Sequence, residues 1–382
     1  MIAAALAALS LAIWLYLLFA RGGFWRERPR PAPATSPRWP SVVAVIPARD
    51  EAATIGETVA SLLGQRYAGS LRLIVVDDHS RDGTAAAARA AARALAAEDR
   101  LTIVGAAPLP AGWTGKLWAV AEGLRHLDES GEPAELVLLT DADIAHHRDN
   151  LGGLVARVES GGLDLASLMV KLHCGLFAER CLIPAFVFFF AKLYPFAWVN
   201  DGGRRTAGAA GGCMLVRRAA LARIGGIASI RGALIDDCAL AERIKAGGRI
   251  WLGLSAETRS LRRYERLGDI WRMIARTAYT QLGYSPLLLA GTVLGLAVTY
   301  LVPPVLTLFG SGIAALLAGA AWLAMSVAFA PTLRFYRQPV LVAPLLPLIA
   351  TFYLAATIDS ARRHWQGRGG EWKGRVQQRG QA

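Results

Sequence analysis

The residues best suited to chemistry in this chain are carboxylates, and they fall in pairs: Asp50-Glu51, Asp77-Asp78, Asp141-Ala142-Asp143 and Asp236-Asp237. A single Asp after a strand is most often a helix cap, but three pairs that each follow an apolar run are not accounted for by capping alone. Asp141 and Asp143, one residue apart on a strand-ending turn, offer the hard oxygens that suit Mg²⁺ or Mn²⁺. Such an ion can bridge a diphosphate and neutralise the charge that builds on a departing nucleotide. Asp236-Asp237 opens a stretch of helical spacing (Ala239, Leu240, Ile244). There the pair could cap the helix and complement its dipole, or Asp237 could be the general base that takes a proton from an acceptor hydroxyl. With an ordinary pKa near 4 it would be ionised at neutral pH. Gly211 and Gly212 lie between the two acidic sites, in Gly208-Ala-Ala-Gly-Gly-Cys-Met-Leu-Val-Arg217. They permit close backbone approach to a substrate, as would a plain tight turn before a strand. Lys116, Arg81 and Arg276 are the cations that could meet phosphate oxygens. Lys116, in Gly112-Trp-Thr-Gly-Lys116, has part of a phosphate-loop spacing but not all of it.

The elements that must position these groups alternate strand and helix. Val42 to Ile46 is an unbroken β-branched run, as expected of a strand buried on both faces, and Pro47 is expected to end it. Helical spacing follows from Glu51 to Leu63, then a strand at Leu71 to Val76 and an Ala-rich helix at Thr84 to Ala97. A strand at Leu101 to Val104, a helix at Lys116 to Leu127 and a strand at Leu136 to Thr140 complete the series. This order predicts an α/β fold with a mostly parallel central sheet, helices on both faces and a ligand site beyond the strand C-termini.

The 54% hydrophobic content is concentrated at the chain ends. Ile2 to Ala20 carries no charge and is followed by Arg21, Arg26, Arg28, Arg30 and Arg38. About 19 helical residues at roughly 1.5 Å each cover the bilayer hydrocarbon. Charge after the apolar run, not before it, predicts a retained anchor with its arginines on the cytoplasmic side. Pro286 to Phe309, Ile313 to Pro331 and Val340 to Ile358 are further apolar runs. Arg334 and Arg337 place the second gap inside, and the last run either spans or, with Pro344 and Pro347, is re-entrant or interfacial. Leu182 to Val199 is also strongly apolar, but Lys192, Pro184 and Pro195 point to an interfacial element lying on the membrane. The net charge of +13 clusters beside these runs, which favours lipid headgroups over nucleic acid. Cys174, Cys181, Cys213 and Cys238 have no zinc or disulfide spacing.

The expected organisation is therefore an N-terminal transmembrane anchor at 1–20, a basic Pro/Arg-rich linker at 21–40 and a catalytic domain at 41–280 with the interfacial element at 182–199. C-terminal membrane segments at 286–358 and a basic tail at 359–382 follow.

Val45-Ile-Pro-Ala-Arg-Asp-Glu51, Val75-Val-Asp-Asp-His-Ser-Arg-Asp-Gly-Thr84, Asp141-Ala-Asp143 and Asp236-Asp237, in this order, resemble the family-2 glycosyltransferases of the GT-A fold over residues 41 to 280. The resemblance implies a nucleoside diphosphate sugar donor, usually uridine-linked, and inversion at the anomeric carbon by direct displacement. It implies that Asp50, Glu51, Asp77 and Asp78 hold base and ribose, with Lys116 and Asp141 also on the nucleotide-sugar side. Asp143, with Asp141, would hold Mg²⁺ or Mn²⁺, and Asp237 would be the base. Gly211, Gly212, Asp236 and Arg276 would lie on the acceptor or diphosphate side. This chain departs from the family in having Asp50 where Asn is usual and Asp236 where Glu is commoner. The stretch Met273-Ile-Ala-Arg276-Thr277 lacks the Gln or Arg and the Trp of the processive members, which points away from a long-polymer synthase. Gly112-Trp-Thr-Gly-Lys-Leu-Trp118, Leu193-Tyr-Pro-Phe196, Gly211-Gly-Cys-Met214 and Ala275-Arg-Thr-Ala-Tyr-Thr-Gln-Leu282 are similar to the hopanoid-biosynthesis-associated branch. The expectation is a multi-pass inner-membrane enzyme, catalytic domain cytoplasmic, with a hydroxylated lipid acceptor such as a hopanoid. Another polyprenyl, carotenoid or glyceride lipid is the alternative acceptor, and a non-catalytic transport or scaffold component is the alternative of another class.

Overall fold

The structure, a computed structural model, describes residues 1–33 and 35–370. Lys373, Arg375 and Arg379 of the basic tail lie outside the described residues. The chain forms two compact units, one of Arg28–His173 with Trp198–Arg262, the other of Met1–Glu27, Cys174–Ala197 and Arg263–Gly370.

The first unit is built on one eight-stranded sheet. Its strands are β1 (Val42–Ala48), β2 (Leu71–Asp77), β3 (Leu101–Gly105), β4 (Leu136–Thr140), β5 (Ile144–Ala145), β6 (Leu165–Lys171), β7 (Cys213–Arg217) and β8 (Ile250–Ser260), in the order β3-β2-β1-β4-β7-β6-β8-β5. β1 to β4 are mutually parallel, β7 runs antiparallel to both β4 and β6, and β8 is parallel to β6 and antiparallel to β5. The sheet is thus mixed, its parallel half being the half built by strand–helix alternation. Every residue of β1 is buried, as its unbroken apolar run requires of a strand covered on both faces. β1 continues through Pro47 to Ala48, beyond the expected end, pairing with β2. Its ladder with β4 stops at Val45–Leu139, so Pro47 lies where one edge of the strand needs no donor.

The helix Gly115–Ser130, which carries Lys116, packs closely on β1 and β2 because Gly123 has no side chain. A Cβ there would stand 2.6 Å from Val45 Cγ1 and 3.0 Å from Val76 Cγ2. Thr114 caps this helix, its Oγ1 accepting the Leu117 N–H at 3.2 Å.

The second unit is helical and apolar. Among the described residues, five helices are long and apolar enough to cross a membrane: Ile2–Phe19, Phe177–Val199, Pro286–Phe309, Gly312–Phe335 and Val340–Trp365. The stretch expected to be interfacial is continuous helix from Phe177 to Leu193, with Pro184 inside it. It is the most buried of the five, at 56% of its apolar window. Phe188 meets Phe24 and Phe329, and Phe189 meets Tyr300 and Tyr353. The helix Pro286–Leu296 gives way to a π-helical turn, Ala297–Leu301, before Val302–Phe309. That turn frees backbone acceptors from their usual partners, and Trp14 Nε1–H donates to the Thr299 carbonyl at 2.8 Å.

Candidate active site

The loops after β1 and β2 interlock. Asp50 and His79 both have left-handed backbone, φ 49° and 57°, a region that Asp and His enter more readily than most residues. Asp50 N–H donates to Ser80 Oγ at 3.0 Å, and Asp50 Oδ1 accepts the Arg81 N–H at 2.8 Å. Glu51 N–H donates to Thr84 Oγ1 at 2.9 Å, and Asp77 Oδ1 accepts the Ser80 N–H at 2.9 Å. Asp82 accepts from the Thr84 and Ala52 N–H groups at 3.1 and 2.9 Å. The first two expected pairs therefore meet in one rim. Their exposures differ: Asp50 is open, Asp77 half-buried, and Asp78 fully buried against Arg49 and His79. Arg81 meets this rim through its backbone, its side chain being exposed.

Asp141 and Asp143 follow β4, and each carries a cation. Lys116 Nζ lies 2.9 Å from Asp141 Oδ1 and 3.0 Å from Asp236 Oδ2. Arg262 spans the other side, with Nε donating to Asp143 Oδ2 at 2.8 Å and a terminal nitrogen donating to Glu51 Oε1 at 2.9 Å. Lys116 stands in the first turn of its helix, where the dipole disfavours a cation, so its carboxylate partners are what stabilise it there. Burial alone would lower its pKa; Asp141 and then Asp236 more than offset this and hold it above its usual range. Burial pushes the Asp141 carboxyl up, Lys116 pulls it down, and Asp143 pushes it up again.

Asp236 and Asp237 open the helix Asp236–Lys245, so their charges also complement its dipole. Asp237 Oδ2 accepts the Gly211 N–H at 2.8 Å and Oδ1 the Cys238 N–H at 2.7 Å. A Cβ on Gly211 would stand 3.2 Å from Lys116 Nζ and 3.4 Å from Asp237 Oδ2. The glycine is thus what lets three elements converge. The carboxyl of Asp237 is not ordinary: burial first, then the neighbouring charge of Asp236, raise its pKa to about 6, against the pull of Lys116. Gly212 has another task, its carbonyl accepting the Thr140 hydroxyl proton at 2.7 Å and tying β4 to the glycine turn. With that proton committed, His146 Nε2–H donates to Thr140 Oγ1 at 2.9 Å, while its Nδ1 accepts from Asn150 at 3.1 Å. Burial drives the His146 pKa down to about 3, so the ring is neutral.

A pocket beside these groups is lined by Pro47, Lys116, Asp141, Gly211, Met214 and Asp236, among others. Arg276 belongs to the other unit, exposed on the last turn of the helix Leu267–Thr277. Arg262 and the Lys116–Asp236 pair went unnoticed in sequence. Arg262 has no local motif; it reaches Asp143 because β8 returns beside β5, pairing Ser260 with Ile144 and Leu261 N–H with the Asp143 carbonyl.

Among the described residues no group of three or more His, Cys, Asp or Glu side chains is arranged to hold a metal ion. Asp141 and Asp143 supply two carboxylates, the donor set Mg²⁺ takes when water and substrate phosphates complete its shell.

Residues 43–225 match the model of glycosyl transferase family 2. A comparison with curated proteins finds no match. Among solved structures the chain is similar to a mannosyltransferase from Pyrobaculum calidifontis in complex with GDP-Man and Mn²⁺, at 21% identity and TM-score 0.59, over 95% of this chain and 98% of that one. Glucosyl-3-phosphoglycerate synthase from Mycobacterium tuberculosis, in complex with Mn²⁺, UDP-Glc and phosphoglyceric acid, matches at 20% identity and TM-score 0.42 over 64% and 79% of the two chains. Mannosyl-3-phosphoglycerate synthase from Rubrobacter xylanophilus matches at 20% and 0.38 over 65% and 76%. With the family model on its sequence and the mixed sheet of its fold, the segment 43–225 is a family-2 glycosyltransferase domain of the GT-A type.

Proposed function

We propose that this chain transfers a sugar from a nucleoside diphosphate sugar to a hydroxylated membrane lipid, with inversion. The observation that carries the reading is the convergence of Asp237, Gly211, Lys116, Asp141 and Asp236 in direct contact, in a chain that also has five helices able to span a membrane by length and composition. Asp50, Glu51 and Asp77 hold the base and ribose, and Asp78, fully buried, fixes the loop beneath them. Asp141 and Asp143 hold Mg²⁺ or Mn²⁺, which when bound neutralises charge on the diphosphate. Lys116 and Arg262 add positive charge on either side of that turn. Asp237 accepts the proton of the acceptor hydroxyl at a carboxylate oxygen, each oxygen keeping a lone pair beyond the backbone N–H it already accepts.

The apolar helices bring an acceptor of low solubility to the same membrane, and the motifs similar to the hopanoid-associated branch point to a hopanoid. The basic residues after the first helix orient the catalytic unit to the cytoplasmic face of the inner membrane. Full-length protein in lipid nanodiscs, given UDP- and GDP-linked hexoses with a polyol hopanoid or a total lipid extract, tests this. Labelled sugar should appear in the organic phase, and a deletion strain should accumulate the unglycosylated lipid. Consumption of neither donor would sink the transferase reading, and a sugar found only on a soluble acceptor would sink the lipid one.

A further inference from the structure

Arg262 bridges two groups that the proposed function gives to different ligands: Asp143, on the metal turn, and Glu51, on the nucleotide side. We infer that Arg262 is a positioning residue that competes with the divalent ion for Asp143, so that metal and nucleoside diphosphate bind as a mutually dependent pair. The inference rests on the reading of Asp141 and Asp143 as metal ligands.

Three observations support it. First, each of the two carboxylates already carries a cation on one oxygen, with Arg262 Nε at 2.8 Å from Asp143 Oδ2 and Lys116 Nζ at 2.9 Å from Asp141 Oδ1. A divalent ion approaching that turn meets two positive charges already paired with the same carboxylates and must compete with each for their negative charge. Second, the protein offers the ion only those two carboxylates, no larger cluster of ligating side chains being present among the described residues. Water and the phosphates of the donor have to complete the coordination shell. Third, Arg262 is held by a planar fork between two acidic partners and remains 41% exposed, so its guanidinium can exchange one of them for a phosphate oxygen without leaving the site. A diphosphate presents the paired acceptors that this fork fits. It therefore relieves Asp143 of its counter-ion while supplying the missing metal ligands. Bound alone, each of the two ligands works against Arg262 or without its help; bound together, each removes the other's obstacle. By linkage the coupling is reciprocal.

The test is Mn²⁺ binding to the full chain in detergent, followed by the electron paramagnetic resonance signal of free Mn²⁺, with and without UDP or GDP. Wild type should bind Mn²⁺ weakly alone and at least about tenfold more tightly with the nucleotide, the scale of one charge-assisted hydrogen bond. Arg262→Gln should tighten Mn²⁺ binding in the absence of nucleotide by about tenfold, with the nucleotide's enhancement correspondingly reduced. Arg262→Lys, which keeps the charge, should leave Mn²⁺ alone binding weakly and so separates charge from loss of shape. If Arg262→Gln leaves Mn²⁺ affinity unchanged or weaker while the nucleotide enhancement persists, the competition does not exist. Equal tightening in the Gln and Lys variants also overturns it. Asp143→Asn distinguishes the two levels: if it leaves Mn²⁺ binding intact, the metal-ligand reading itself fails. If Asp143→Asn abolishes binding and Arg262→Gln has no effect, only the present inference fails.

Discussion

Replacing Lys116 by Met keeps the length of the side chain and removes the charge that two helix N-termini and one strand-end turn share. Its ammonium lies 2.9 Å from Asp141 and 3.0 Å from Asp236. At an effective dielectric near 20, each contact is worth about 5–6 kcal/mol before desolvation. The three side chains are 22, 35 and 18% exposed, so solvent screening and desolvation offset most of that gain. A net loss of about 2–3 kcal/mol remains, because the variant leaves carboxylates facing one another without a cation. For a unit of this size that lowers the melting temperature by about 5–10 °C. The loss depends on pH in a defined direction. Asp141 and Asp237 both have carboxyls raised above their usual range, so acid neutralises them first and relieves the repulsion. The penalty should thus be largest near about pH 8 and shrink as pH falls through about 6. Thermal unfolding of the purified full chain at both pH values, with Asp236→Asn alone and combined, measures it. The double variant should recover about 1–2 kcal/mol relative to the sum of the single ones. A Lys116→Met chain as stable as wild type, or strict additivity with Asp236→Asn, would refute the shared-cation account.

Asp237→Asn should lower turnover by about 10²- to 10⁴-fold with donor affinity nearly unchanged, and Asp236→Asn should do less. Because both Asp237 oxygens accept backbone N–H groups, Asn can replace only one, so the variant should also lose about 1–3 kcal/mol of stability. Normal turnover in Asp237→Asn removes it as the base. The acid limb of kcat/KM should fall at about pH 6, activity rising as Asp237 loses its proton. Asp236→Asn should move that limb to lower pH, since the Asp236 charge helps hold the Asp237 carboxyl up; a limb that stays put separates it from Asp237. Gly211→Ala should cut kcat more than it cuts stability, as its methyl would crowd Lys116 and Asp237 at 3.2 and 3.4 Å; wild-type kcat would show that the close approach is not needed.

What the sequence reveals here depends on whether a feature is local. The all-apolar run at Val42 to Ile46 carries its burial in its own composition, and the carboxylates after β1, β2 and β4 follow from strand ends that the alternation predicts. β7 and β8 are different. Their places between β4 and β6, and beside β5, come from long-range pairing that no local period records. Arg262 is the direct casualty: it is 119 residues from Asp143 and 211 from Glu51, in a run of basic residues that looks like solvated surface. Asp237, the proposed base, shows the same division. Its residue type and helix position could be read from sequence, whereas its raised carboxyl could not, because burial and the approach of Gly211 and Lys116 exist only in the folded chain.

The strand order also imposes a schedule on synthesis. β1 to β4 form a parallel block from residues already made when Thr140 emerges, but β4 keeps an open edge until β7 pairs with it. The bond that closes this join, from Thr140 to Gly212, spans 72 residues, and at ribosomal speeds that stretch takes about 4–14 s. Within the interval the apolar helix Phe177–Leu193 leaves the ribosome, while the β4 edge is still open to wrong partners. Whatever covers that helix therefore acts before the sheet is complete, so how soon its apolar surface is covered decides how long the nascent chain is exposed to misassembly.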